Sequence, residues 1–299
     1  MLTINAPREH QPRLWAEDFI FLEGPRWHND RLWVSDVFDK KLFTLDSDGS
    51  RTLECEVPHR PSGIGFLRDG SAIVASMQDR KIMRLVDAEL SVHADFSELA
   101  SGDLNDMLVD DEGRIYVGNF GYDFHGGAPK APTNVHMVEP EGAIRVAASG
   151  LEFPNGMAII NGGRTLVVAE TWACRLTAFN RAPDGSLSKP RLFADLRNRQ
   201  PDGICADTAD GIWVASYNTG EVIRVLEGGD VTDRALCGRH VSACQLGGSD
   251  GRTLFCCAYV GTDEDLEAGK RLGAIFTVSV DTPGCSVAPK DVSHVGGEG

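Results

Sequence analysis

Short runs in which apolar and polar residues alternate, separated by Gly- and Asp-rich turns, fill the chain, and one strand phrase recurs six times. The copies are Arg31-Leu32-Trp33-Val34, Ser71-Ala72-Ile73-Val74, Arg114-Ile115-Tyr116-Val117, Arg164-Thr165-Leu166-Val167-Val168, Gly211-Ile212-Trp213-Val214 and Arg252-Thr253-Leu254-Phe255. They return every forty to fifty residues or roughly so, the spacing of a small repeated sheet. Turn signals such as Asp69-Gly70, Glu112-Gly113 and Asp210-Gly211 precede them, as tight hairpins require, and further alternating strands follow, for example Lys41-Leu42-Phe43-Thr44-Leu45 and Glu221-Val222-Ile223-Arg224-Val225. Each unit reads as a four-stranded sheet that cannot bury both faces alone. Six of them predict an all-β six-bladed β-propeller, a single domain over residues 1–299 with four-stranded blades about a central channel. No stretch of useful length carries a helical period, and Asp95-Phe96-Ser97-Glu98-Leu99-Ala100 offers a turn or two at most, which argues against a doubly wound α/β fold. The ring is expected to close where the segment around Phe19-Ile20-Phe21-Leu22 joins the last blade near Ala274-Ile275-Phe276-Thr277-Val278.

Aligning the repeats locates the channel. About ten positions before each strand phrase stand Glu23, Ser62, Asn105, Asn155, Asp202 and Ser242, all oxygen-bearing. Three of them sit in a Pro-polar-Gly-apolar frame (Pro61-Ser62-Gly63-Ile64, Pro154-Asn155-Gly156-Met157, Pro201-Asp202-Gly203-Ile204), which suits a turn that crowds the axis while its polar side chain projects inward. Taken singly these are good turn sequences and no more. Delivered together to one axis, two carboxylates and several amides call for a cation. An all-oxygen set fits a hard divalent ion, Ca2+ first, with Mg2+, Mn2+, Fe2+ and Zn2+ also able to occupy it according to supply.

Charge and cysteine content narrow the function classes. With 29 Lys and Arg against 44 Asp and Glu, the net charge of −15 opposes binding to phosphate backbones and anionic lipid surfaces, so neither nucleic acid nor membrane is an expected partner. The N-terminus shows no basic region followed by an apolar one, and the expected location is cytoplasmic. Eight scattered cysteines form no C-x-x-C pair, and are expected as buried thiols on strands, with Cys256 and Cys257 on opposite sheet faces. There is no G-x-S-x-G elbow. His28, His59, His93, His136, His240 and His294 are expected in turns or outer strands, leaving His125 as the histidine near the channel.

The motifs Glu23-Gly24-Pro25, Leu104-Asn105-Asp106, Pro154-Asn155-Gly156-Met157 and Pro201-Asp202-Gly203-Ile204, followed by Ile212-Trp213-Val214-Ala215 and Tyr217-Asn218, resemble the SMP-30/gluconolactonase/regucalcin family of six-bladed propellers over essentially the whole chain. The resemblance implies that Glu23, Asn155 and Asp202 ligate one divalent metal, with Asn105 a fourth ligand or a substrate contact, and Asp106 beside it is expected to bind substrate. It implies hydrolysis of a small lactone, and in related propellers of phosphotriesters. A non-catalytic, calcium-handling propeller is the alternative of a different class. Sugar lactonases of this family usually place an Arg two residues before the Asn-Asp pair; here Asp103 stands there, which turns the expectation away from an aldonolactone.

For such chemistry Asp202 is expected as general base toward water, or else as nucleophile. The loop of residues 120–134, with Tyr122, Phe124 and His125 among glycines, is expected to lie over the channel mouth as a lid. Trp172 and Tyr217 occupy equivalent places after later strand phrases, so these five residues are expected to line the substrate pocket.

Overall fold

In the computed structural model, which describes residues 6–285, six antiparallel sheets are arranged in a closed ring. Their innermost strands are Leu22–His28, Pro61–Phe66, Leu104–Val109, Pro154–Ile160, Pro201–Ala206 and His240–Gly247. Each packs beside the next, and the sixth beside the first. The recurring strand phrases are the second strands of the blades, from Arg31–Asp36 in blade 1 to Thr253–Tyr259 in blade 6.

The second strands lack the half-polar pattern of a surface sheet because both their faces are covered. In blade 5, Ile212 and Val214 face the core shared with blade 4, while Trp213 and Ala215 face the core shared with blade 6. Cys256 and Cys257 divide in the same way between the two cores flanking blade 6, both fully buried. One apolar cluster fills each of the six blade interfaces. Burial of this kind, at roughly 25 cal/mol per Å2 of apolar surface, drives the closure of the ring.

The closing strand is Arg13–Phe19, which pairs antiparallel with Gly273–Ser279, so both ends of the described chain contribute to blade 6. Of the segment Phe19-Ile20-Phe21-Leu22, only Phe19 is in that pairing, opposite Gly273. Ile20 and Phe21 form the crossover, held by their backbone N–H groups on the buried Asp36 carboxylate at 2.9 and 3.0 Å, and Leu22 already opens blade 1.

Three details differ from the sequence expectation. Blade 5 has a fifth strand, because Arg8–His10 runs parallel to Val231–Leu236 on its outer edge. His10 secures it through Nε2 to Asp233 Oδ1 at 2.8 Å. A short helix, Asp263–Glu267, follows blade 6's second strand, started by a capping box in which Thr262 and Asp265 each bond the other's backbone N–H. The histidines are less peripheral than expected: His28 and His240 lie on innermost strands and His136 is buried on the third strand of blade 3, while His294 falls outside the described residues. None of the described helices is long and apolar enough to cross a membrane.

Candidate metal and active site

Every innermost strand has a register shift near its start. The shifts fall at Glu23/Arg26, Pro61/Ile64, Leu104/Met107, Pro154/Met157, Pro201/Ile204 and Val241/Ala243. A bulge bends the strand and re-aims a side chain, and here it does so at the same place in all six blades. The residues carried there are the six aligned from the sequence. Glu23, Ser62, Asn105, Asn155, Asp202 and Ser242 are all buried, as is Asp106.

Glycines follow four of these residues, Glu23, Ser62, Asn155 and Asp202, and make the convergence possible there. Gly24 has φ +56, and a Cβ there would stand 2.5 Å from Ser62 O; at Gly156 it would stand 2.4 Å from the backbone N of Ile204. The neighbouring inner strand occupies the space that a side chain would need.

Hydrogen bonds pass from blade to blade around this layer and sort the six residues. Ser242 Oγ donates to Leu22 O at 2.6 Å, Ser35 Oγ to Ser62 O at 2.6 Å, Asn105 Nδ2 to Pro154 O at 3.2 Å and Thr171 Oγ1 to Pro201 O at 2.8 Å. Ser242 is thereby committed to closing the ring. Asn155 Nδ2 donates to Thr171 Oγ1 at 3.3 Å, which fixes the amide with its oxygen directed away from the backbone. Asn155 Oδ1 and Asp202 Oδ1 are fully buried and have no hydrogen-bond partner, and neither has the Ser62 hydroxyl oxygen. Buried oxygens of this kind cost a few kcal/mol each unless something electropositive meets them.

The electrostatics agree. The Glu23 carboxyl is pushed well above the usual range by burial, then by the charges of Asp202 and Asp106. Asp202 is pushed up by burial and by Asp106, with the Asn155 side chain and the Gly203 backbone drawing it partly back. These carboxylates therefore share one desolvated space with too little positive charge. No group of three His, Cys, Asp or Glu side chains among the described residues is arranged to hold a metal ion. Glu23, Asp202 and the Asn155 amide oxygen make an all-oxygen set, with two of its oxygens unpaired, that fits a hard divalent cation.

The mouth above the site is aromatic. Inner strands begin, and second strands end, at the same end of the channel, and there Phe21, Val37, Met77, Phe120, Tyr122, Phe153 and Tyr259 form a cluster with Phe38, Trp172 and Tyr217 against it. The Tyr217 hydroxyl is pushed up by burial and then by Asp202, Asp263 and Glu23. In the 120–134 loop, Tyr122 is buried and its hydroxyl accepts from Trp172 Nε1 at 3.0 Å. Phe124 remains 43% exposed and stacks on Trp172. His125 stands on the rim with Nε2 3.3 Å from Arg60 Nη1 and 3.8 Å from Asp103 Oδ2. Asp106 is turned elsewhere: its Oδ1 accepts from Arg26 Nη2 at 2.8 Å and from Met107 N at 2.8 Å.

Sequence reading missed Arg26, Thr171, Phe21 and Phe153. Thr171 and Phe153 adjoin recognised motifs without belonging to one, and Phe153 reaches its stack on Phe120, 4.4 Å between ring centroids, from a left-handed backbone with φ 58.

Fold and site together define a six-bladed propeller with an oxygen-lined channel centre beneath an aromatic mouth. Residues 21–259 match the model of the SMP-30/gluconolactonase/LRE-like region, and the chain belongs to that family. It is 26% identical to a pentonolactonase of Haloferax volcanii over 82% of this chain and 89% of the relative. It is also 26% identical to a 6-deoxy-6-sulfogluconolactonase of Pseudomonas putida, over 84% and 88%. Among solved structures, a calcium-binding regucalcin from Agrobacterium tumefaciens superposes with a TM-score of 0.81 at 20% identity, over 94% of this chain and 97% of that one, which supports the fold.

Proposed function

We propose that the protein is a metal-dependent hydrolase that opens a small lactone, with Asp202 as general base. The observation that carries this reading is the pair of buried, unpartnered oxygens, Asn155 Oδ1 and Asp202 Oδ1, at the convergence of the inner strands. Glu23, Asn155 and Asp202 would hold one divalent cation, with Asn105 as a further donor or a substrate contact, and Ca2+ is the ion the donor set favours. Bound there, the cation would polarise an ester carbonyl and stabilise the oxyanion formed from it. The lactonase names of the relatives support the reaction class.

The chain's own groups do the rest. Asp202 takes a proton from water as its oxygen bonds to the lactone carbonyl carbon, and returns it to the ring oxygen when the C–O bond breaks, leaving a hydroxy acid. The aromatic mouth excludes bulk water and favours a lactone more apolar than a sugar. The 120–134 loop, which carries Phe124 and His125, would act as the lid that selects it, over a pocket wall of Tyr122, Trp172 and Tyr217. Asp103, placed between His125 and the start of blade 3's inner strand, offers an acceptor where a sugar lactonase would offer a cation.

Asp202→Asn tests the assignment. The variant should keep the wild-type circular dichroism spectrum and lose at least about a hundredfold in kcat toward any lactone the wild type hydrolyses. Turnover near the wild-type rate would refute Asp202 as the base.

A further inference from the structure

Arg26 follows Glu23 on the same inner strand, across the bulge, and its side chain runs under the site. Its Nη2 donates to Asp106 Oδ1 at 2.8 Å and to Met107 O at 2.6 Å, and its Nη1 to Pro25 O at 2.8 Å. The Arg26 side chain is 15% exposed and that of Asp106 2%. Arg26 also lines, with Ile64, Leu108, Met157 and Ile204, a cavity of about 900 Å3 at the opposite end of the channel from the aromatic mouth. The Arg26 side chain thus joins buried Asp106 to the wall of this lower cavity.

Asp106 follows Asn105 at the bulge of blade 3's inner strand and is buried, as Glu23 and Asp202 are. Arg26 is ion-paired with Asp106, and neither Glu23 nor Asp202 has an ion-pair partner among the described residues. We propose that Arg26 is a positioning residue that cancels the charge of Asp106 and so matches the site to a divalent rather than a trivalent cation. This inference rests on the metal-site reading above. Because Coulomb energy scales with the product of charges, adding or removing one negative charge near the site changes trivalent binding more than divalent binding.

The test is calorimetric titration of the chelator-stripped full chain, in phosphate-free buffer, with Ca2+ and with Tb3+ separately. Arg26→Met leaves Asp106 uncompensated, and the ratio of Tb3+ to Ca2+ affinity should rise at least about tenfold over wild type. Asp106→Asn leaves Arg26 uncompensated, and the ratio should fall by a similar factor. Arg26→Lys keeps the charge and should stay within about threefold of wild type. The Asp106→Asn arm stands even where Arg26→Met fails to fold, because it removes a charge and keeps the shape. Unchanged ratios in folded variants, or Arg26→Lys behaving as Arg26→Met, would overturn the proposal while leaving the metal site intact. A wild-type chain that binds neither ion would overturn both.

Discussion

Asn155 and Asp202 show how a residue's role is set by which of its atoms is left over. The Asn155 amide nitrogen is spent on Thr171, whose own hydroxyl is spent on Pro201 O, so the free oxygen is the consequence of a short chain of donors. Burial pushes the Glu23 carboxyl well above the usual range, with Asp202 and Asp106 adding to the shift. Glu23→Gln removes a buried charge, so the metal-free protein should gain about 1–2 kcal/mol and melt a few degrees higher. The same variant should lose the rise in Tm that Ca2+ gives the wild type. A Ca2+-induced rise of wild-type size in Glu23→Gln would remove Glu23 from the ligand set. Glu23, Asn155 and Asp202 were legible because six repeats could be aligned on them. Arg26 was not, since its meaning depends on a bulge that turns it under the channel and on a partner 80 residues away.

At the scale of elements, the inner strand with its bulge is the unit that builds the site. Gly156 shows the constraint: a Cβ there would stand 2.4 Å from Ile204 N and 2.8 Å from Asp202 O, both backbone atoms of the next blade. Gly156→Ala should therefore destabilise the protein by about 1–3 kcal/mol in urea denaturation. Metal affinity should fall with it, because Asn155 and Asp202 would be forced apart. A substitution neutral in both would mean that the inner strands are packed less tightly than this. The second strands were legible through turn signals and apolar runs, whereas Arg8–His10 was not: three polar residues carry no period, and their pairing with Val231–Leu236 is a tertiary event. The helix Asp263–Glu267 escaped for a related reason, being five residues long with its signal in the cap at Thr262.

For the whole molecule, closure of the ring holds the six bulges in register. Arg13–Phe19 supplies the last strand of blade 6, and Phe19 is fully buried in the core between blades 6 and 1. Deleting the chain through Phe19 should lower Tm by more than about 10 °C and abolish the metal-induced stabilisation, since Glu23 lies just beyond the cut. A truncated chain that melts like wild type would show that blade contacts alone close the propeller. The fold was readable because its unit repeats. The mouth was read only in part, since Phe21, Phe153 and Tyr259 reach the aromatic cluster from different blades and no motif links them.

The central claim is that the channel centre binds a divalent cation that the hydrolysis of a lactone requires. Proton release followed in a pH-stat, with a panel of aromatic, alkyl and sugar lactones and an activated phosphotriester, tests it directly on chelator-stripped protein before and after Ca2+ is restored. The predicted result is no turnover in the stripped protein and recovery with Ca2+, fastest on an apolar lactone. Turnover that survives chelation undiminished, or none on any lactone by protein shown to hold the metal, would contradict it.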